Sequence, residues 1–345
     1  MLKKPDEMTD GQTHSREEGA SLYGGQAIIE GVMMKGPERT VAAVRAPDGK
    51  IVHKILREGA DERKRNFWYK TPFLRGVLII VDSMSVGYKA LMFSADIADP
   101  ESKPRNPLVE NLMLTVSLII ALVIFKFIPV LVASLIMGGT PTQAESPGNE
   151  MVGFSVAFSA IEGVVKAGVI VAYMLAIRLW SDVRKVFQYH GAEHKTINAY
   201  EAGEELTVEN VAKYPTFHPR CGTSFLFALI LFSLVFALLF PLFTYWIAGD
   251  PRLAMNIGVR FAMHLIFLPI IASFGYEFIR WTARLDPNGI IMRILTWPGR
   301  LFQTITSLEP DRDMIEVALV SMNLAMGLST DENVTAPEPS TNVSP

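Results

Sequence analysis

From Ser224 to Ala248 the chain carries no charged residue. A helix needs about 20 consecutive apolar residues to cross a bilayer, so this one run already constrains the fold to something built around a membrane. Three further runs are of similar length. One goes from Leu112 to Met137, broken by Lys126 and Pro129. The next, from Ser155 to Trp180, contains Glu162 and Lys166, and the last, from Met255 to Trp281, contains Arg260, His264 and Glu277. In hydrocarbon a helix satisfies its own backbone hydrogen bonds. The expectation is therefore a mainly α fold, a polytopic membrane helix bundle of about four transmembrane helices.

Basic residues orient it. The segment from Gly138 to Phe154 has no Lys or Arg, and the link between the last two runs has only Arg252. The segment from Ser181 to Thr223 holds Arg184, Lys185, Lys195, Lys213 and Arg220, and Arg284, Arg293 and Arg300 follow the fourth run. Positive charge stays on the cytoplasmic side, which puts both termini and the central segment there. Residues 1–20 are polar and lack the apolar stretch of a signal peptide. The net charge of −3 gives no bulk attraction to nucleic acid, and the lipid bilayer is the partner the runs imply. One Cys excludes an internal disulfide.

Outside the runs the chain divides further. Residues 1–20 and 329–345 are polar tails with the composition of disorder. Residues 21–100 read as a cytoplasmic β-unit followed by an amphipathic helix. Asp48-Gly49 between the stretches Thr40 to Arg45 and Lys50 to Arg57 is a β-hairpin signal. From Phe73 to Ile97 the apolar residues Leu74, Val77, Leu78, Val81, Met84, Tyr88 and Leu91 form a helical stripe. Arg75, Asp82 and Lys89 within it suit a helix lying in the interface or packed on the bundle. Residues 111–281 form the four-helix membrane domain, with 181–223 as its cytoplasmic site segment. Residues 282–328 supply two cytoplasmic helices, from Arg293 to Ile305 and from Asp313 to Met326, with Asp311 as an N-cap candidate.

The chemistry gathers at His190-Gly191-Ala192-Glu193-His194. Residues four apart share a helix face, so the two imidazoles can grip one metal ion, and Glu193 beside them can act as general base on an activated water. This is the order found in inverzincin peptidases. Val183, Val186, Phe187, His190, His194 and Ile197 share one stripe, which puts the site on a cytoplasmic extension of the second run. His218-Pro219-Arg220-Cys221 adds two more preferred zinc ligands. Four candidate ligands, His190, His194, His218 and Cys221, leave two outcomes open. Three ligands with an open position make a catalytic zinc, and four make a closed structural one. Lys195 and Arg220 are candidates to hold an anionic group, and Glu277 has the depth to serve as ligand or supporting partner. A second polar cluster, Lys126, Glu162, Lys166 and His264, sits at bilayer depth, where charge marks a pathway or a paired structural contact. Glu162 can pair with Lys166 at i,i+4. No internal repeat of the kind transporters use is visible, which makes transport the weakest of the functional readings.

The stretches Gly24-Gly25-Gln26-Ala27-Ile28-Ile29-Glu30-Gly31-Val32-Met33-Met34, Tyr189 to Lys195, His218-Pro219-Arg220-Cys221-Gly222-Thr223-Ser224-Phe225, Glu309-Pro310-Asp311 and Ile315-Glu316-Val317-Ala318 resemble the YqhQ-like family of bacterial membrane proteins. The resemblance runs from about Gly24 to Met322. It implies a bacterial inner (cytoplasmic) membrane and a metal-dependent enzyme of unassigned reaction, and it adds Glu30, Glu309, Asp311 and Glu316 as acidic residues of interest. The functional expectation is a zinc-dependent hydrolase with its site at the cytoplasmic membrane face. The alternative is a non-enzymatic scaffold or assembly protein with a structural metal.

Overall fold

The computed structural model describes residues 23–59, 67–100, 107–138, 149–219, 221–249, 257–282, 289–328 and 334–335. Four strands, β1 (Gly24–Ile28), β2 (Gly31–Lys35), β3 (Arg39–Arg45) and β4 (Ile51–Glu58), form an antiparallel meander in sequence order. A two-residue strand, β5 (Val334–Thr335), pairs parallel to β4. The unit is thus larger than the single hairpin expected from Asp48-Gly49. That hairpin joins β3 to β4, with Gly49 at φ 86°. A second, tighter turn at Ile29-Glu30 splits the apolar stretch before it into β1 and β2.

The central strands β2 and β3 are buried on both faces, which explains why they read as continuous apolar runs and not as alternation. One face, through Val32, Met34, Val41 and Ala43, packs on two helices, α5 (Ser181–Glu201) and α9 (Arg312–Ala325). Tyr189, Ile197, Ile315 and Met322 fill that interface. Ser321 Oγ accepts from the Met34 N–H and donates to the Val41 carbonyl, tying α9 to two strands. The other face, through Ile28, Met33, Ala42 and Val44, packs on Val86, Ala90 and Phe93 of α1 (Leu74–Ala98).

α1 therefore belongs to both halves of the molecule. Its first turns run along α7 (Ile257–Thr282) and its later turns cover the sheet. Two of the three charges that made it ambiguous in the sequence are paired, and the third, Lys89, is exposed. Asp82 takes a bidentate bond from Arg57 of β4, and Arg75 takes Glu277 of α7.

The membrane part contains α2 (Pro107–Leu122), a π-helical turn at Val123–Phe127, α3 (Ile128–Met137), α4 (Asn149–Ile177), α6 (Gly222–Ala248) and α7. Among the described residues four helices are long and apolar enough to cross a membrane: Leu74–Ala98, Asn111–Met137, Val152–Ile177 and Phe227–Ile247. Three coincide with sequence runs and α1 joins them. The fourth run is the continuous helix α7, packed along α6 and α1. Leu112, Leu118, Leu135, Val164, Leu239 and Trp246 stand exposed. Apolar surface on that scale suits lipid and not water, and the chain is a membrane protein. α8 (Ile290–Thr306) lies across α6 and leads into α9. Asp311 occupies the N-cap position of α9, but its side chain makes no capping bond.

Candidate metal centre

α5 is not a continuation of α4. The chain breaks at Arg178–Trp180, where Trp180 turns extended (φ −79°, ψ 129°), and a new helix starts at Ser181. The break frees α5 to lie against the sheet and present His190, Glu193 and His194 inward. Gly191 is required between them. A Cβ there would run into the Leu308 carbonyl, because the strand-like segment after α8 crosses α5 at that point, its Leu308 N–H bonded to the Phe187 carbonyl.

That crossing segment orients the imidazoles. His190 Nδ1 lies 2.8 Å from the Thr306 carbonyl, and His194 Nδ1 lies 2.5 Å from the Thr216 carbonyl. A carbonyl only accepts, so each Nδ1 carries the proton and each Nε2 keeps its lone pair. Ser307 Oγ donates to the same Thr216 carbonyl and sits 3.2 Å from His194 Nδ1. His190 Nε2 is 3.1 Å from Cys221 Sγ. One ligand atom each from His190, His194 and Cys221 all fall within 4.8 Å of one another. His194 Nε2 is buried with no hydrogen-bond partner, an arrangement that costs free energy unless something binds the lone pair. Imidazole with thiolate suits zinc and excludes calcium or magnesium, which prefer oxygen. The donor set therefore fits a zinc ion.

Glu193 is 5% exposed. Its Oε2 lies 4.0 Å from His190 Nε2, and its carboxylate accepts the Gly25 N–H. Burial pushes its pKa up to about 7, with the Cys221 thiol adding to the rise; His190 and the Gly25 N–H pull the other way. Burial holds His194 well below the usual histidine range, helped by His190 and His218 and opposed by the Thr216 bond. Burial also lowers His218 to about 4. Neutral imidazole is the form a metal needs.

Ligand atoms of three of the four residues named from the sequence fall within 4.8 Å of one another, and the fourth residue, His218, lines the same cavity. The peptide of His218 is clamped by Gln303, which accepts from its N–H and donates to its carbonyl. This aims the ring so that Nε2 sits 3.5 Å from Glu201 Oε2. The other candidates lie elsewhere. Lys195 points its buried ammonium at Glu309 Oε1, 2.6 Å away, and at the Ala212 carbonyl. Glu30 pairs with Lys185 at 2.6 Å, Glu316 with Arg45 at 2.9 Å, and Glu277 with Arg75. Glu277 thus joins α7 to α1 and does not support the metal ligands. Arg220 and the side chains of Arg260 and His264 fall outside the described residues. In the membrane, Glu162 lies between two lysines, 3.1 Å from Lys126 Nζ and 3.9 Å from Lys166 Nζ. The π-helical turn that carries Lys126 rotates it toward α4.

Sequence reasoning missed Gly25, Thr216, Thr306, Ser307, Gln303 and Glu201. Gly25, Gln303, Thr306 and Ser307 reach the site from distant parts of the chain, whereas Glu201 ends the helix that carries the histidines and Thr216 precedes His218 by two residues. Only Gly25 left a signal, the glycine pair that opens β1. A Cβ at 25 would stand 2.7 Å from Glu193 Cγ. Around these residues a cavity of about 380 Å³ opens, lined in part by Tyr23, Gly25, His190, Glu193 and Cys221.

The chain is thus a membrane protein that joins a small sheet to a helix bundle and carries a convergent His-His-Cys cluster. A family model described as a protein of unknown function, DUF1385, matches residues 71–328. The chain is also 30% identical over 313 residues to the uncharacterized protein YqhQ of Bacillus subtilis (strain 168), covering 90% of this chain and 93% of that one. The chain belongs to this family. No solved structure matches it.

Proposed function

We propose that the protein is a zinc-dependent hydrolase at the cytoplasmic face of a bacterial inner membrane, with both termini on that side and Glu193 as general base. One observation carries the reading. One ligand atom from each of His190, His194 and Cys221 converges, with both imidazoles fixed through Nδ1 and a buried carboxylate beside them. Two imidazoles and one thiolate leave one of four tetrahedral positions open, as in catalytic zinc sites. When bound, zinc supplies Lewis acidity, polarising a carbonyl and making water a better nucleophile. The remaining steps fall to the chain. Glu193 takes a proton as the water oxygen bonds to the acyl carbon. The bond from that carbon to the leaving nitrogen or oxygen breaks, and Glu193 returns the proton to the leaving atom. The Gly25 N–H holds the carboxylate in place beside His190. The orientation rests on Arg184, Lys185, Lys195 and Lys213 flanking the site.

A structural zinc is the second reading, and His218 favours it. Its ring centroid lies 5.8 Å from that of His194, so a turn of the ring away from Glu201 would supply a fourth ligand. Comparing His194→Ala with Glu193→Gln separates the two. The hydrolase reading expects His194→Ala to lose zinc. It expects Glu193→Gln to keep zinc and thermal stability while losing complementation of a deletion strain. Full zinc with full complementation in Glu193→Gln would remove the hydrolase.

A further inference from the structure

A second cavity, of about 760 Å³, meets the metal cavity through shared walls. Gln26, Cys221 and Gly222 line both. The rest of the second cavity comes from membrane helices. Ile79, Met84, Tyr88 and Leu91 line it from α1, and Tyr276 and Ile279 from α7. Met84, Tyr88 and Leu91 recur at helical spacing and stand exposed along one edge of α1. The α1 residues from Ile79 to Leu91 cover roughly 18 Å of helix at 1.5 Å per residue. α1 is itself long and apolar enough to lie in a bilayer.

We propose, resting on the hydrolase reading, that the substrate is a membrane amphiphile with a single long aliphatic chain. The chain lies in the groove between α1 and α7, and the hydrolysable amide or ester head reaches past Gln26 and Cys221 to the His190–His194–Cys221 cluster. The two adjoining cavities have opposite chemistry. One is a buried cage of imidazoles, thiol and carboxylate, and the other is an apolar trough at the edge of the bundle. A soluble peptide has no use for the trough, whereas a lipid-like molecule in the surrounding bilayer carries both parts on one body and is already at high concentration beside α1. Contact between α1 and β1 shapes the junction. Gly87 brings α1 so near that a Cβ there would stand 2.6 Å from Gln26 Oε1. This close approach leaves the Gln26 amide facing both spaces, where it can hydrogen-bond an amide or ester as the head passes from one to the other.

The test uses the full-length, zinc-loaded protein in lipid nanodiscs and two zinc-binding probes, acetohydroxamate and dodecanohydroxamate. Affinities are measured for the wild type and for Met84→Trp and Leu91→Trp, two variants that fill the groove at exposed positions outside the metal centre. Zinc content and helicity are checked for each. The proposal expects the long-chain probe to bind the wild type at least about tenfold more tightly than the short one, since each buried methylene strengthens binding. At least one filled variant that retains zinc and helicity should lose that advantage while binding acetohydroxamate as before. Equal affinities in the wild type would overturn the amphiphile and leave the zinc hydrolase standing. A long-chain advantage that survives in both variants would show partitioning into bulk lipid alone and would overturn it too. Binding of neither probe would remove the hydrolase reading, and this inference with it.

Discussion

Gly25 donates its backbone N–H to the carboxylate of Glu193, and no side chain can be placed at 25 without meeting that carboxylate: a Cβ would stand 2.7 Å from Glu193 Cγ and 2.9 Å from Oε1. The edge of the sheet thus fixes the group assigned as general base. Gly25→Ala is expected to displace Glu193 while leaving the three ligands in place. Overpacking of this kind costs about 1–3 kcal/mol. The variant should retain zinc, melt several degrees lower and fail to complement a deletion. Metal analysis beside a thermal melt checks this. Loss of zinc in Gly25→Ala would make Glu193 a ligand and not a base.

The carbonyl partners of the imidazoles give a second prediction. Ser307→Ala removes the hydroxyl that donates to the Thr216 carbonyl and sits beside His194 Nδ1. Groups that orient a metal-binding histidine are worth roughly 10–100-fold in metal affinity. Zinc competition with a chromophoric chelator should show a weakening in that range, and Ser307→Thr, which keeps the hydroxyl, should recover part of it. An unchanged affinity in Ser307→Ala would mean that the Thr216 carbonyl orients His194 unaided.

Acid stability tests the buried imidazoles. His218 titrates near 4 in the fold against 6.5 when exposed. Between those values the unfolded chain binds a proton that the folded chain refuses, so stability falls as pH drops from 6.5 towards 4 and levels off below. Glu201 at 3.5 Å favours the charged ring and opposes this, so the full span, about 3 kcal/mol at 1.36 per unit, is an upper bound. Metal-free protein in detergent should therefore melt progressively lower through this window. His218→Gln should flatten the slope. Burial of His194 acts in the same direction as that of His218, while Glu193, raised to about 7, stabilises the fold as pH falls; a wild-type melt that is flat from pH 6.5 to 4 would show that Glu201 and Glu193 together cancel the effect of the buried imidazoles.

The membrane cluster behaves as a unit of three. Glu162 pairs with Lys126 as well as Lys166. The Glu162→Leu/Lys166→Leu double variant therefore leaves Lys126 without its carboxylate. Removing one partner of a buried ion pair costs about 3–5 kcal/mol, whereas replacing the whole set by apolar residues is often neutral. Membrane levels should be low for Glu162→Leu and for that double variant, and near normal when Lys126, Glu162 and Lys166 all become Leu. Normal levels with lost function in the triple variant would assign the cluster a pathway role.

The parts of the site that the sequence made legible are those set by local periodicity. His190 and His194 share a helix face because they are four apart, and Glu193 follows from the same count. Cys221 was legible as a soft ligand close to them in the chain. His218 was legible in the same way, but the aim of its ring was not, because that depends on Gln303, a side chain 85 residues away. The turn at Ile29-Glu30 was hidden for a different reason: with both faces of the sheet covered, neither strand alternates, and Glu30 adopts φ 50° without a glycine to announce it. Lys195 and Glu277 read as site residues because they were near it in sequence or depth. Tertiary packing gave each a partner, Glu309 and Arg75, that sequence proximity could not reveal. The helix α1 read as too polar for the membrane because Arg57, which neutralises its Asp82, lies on a strand.

The central claim is an open zinc site held by two histidines and one cysteine. X-ray absorption at the zinc edge of the purified, membrane-extracted protein tests it most directly. One zinc per chain is expected, with one sulfur at about 2.3 Å, two imidazole nitrogens at about 2.0–2.1 Å and one light atom completing the tetrahedron. That light atom should be replaced when acetohydroxamate is added, and the sulfur should disappear in Cys221→Ser. A shell of one sulfur and three imidazoles, unchanged by acetohydroxamate, or purified protein with no zinc at all, would contradict it.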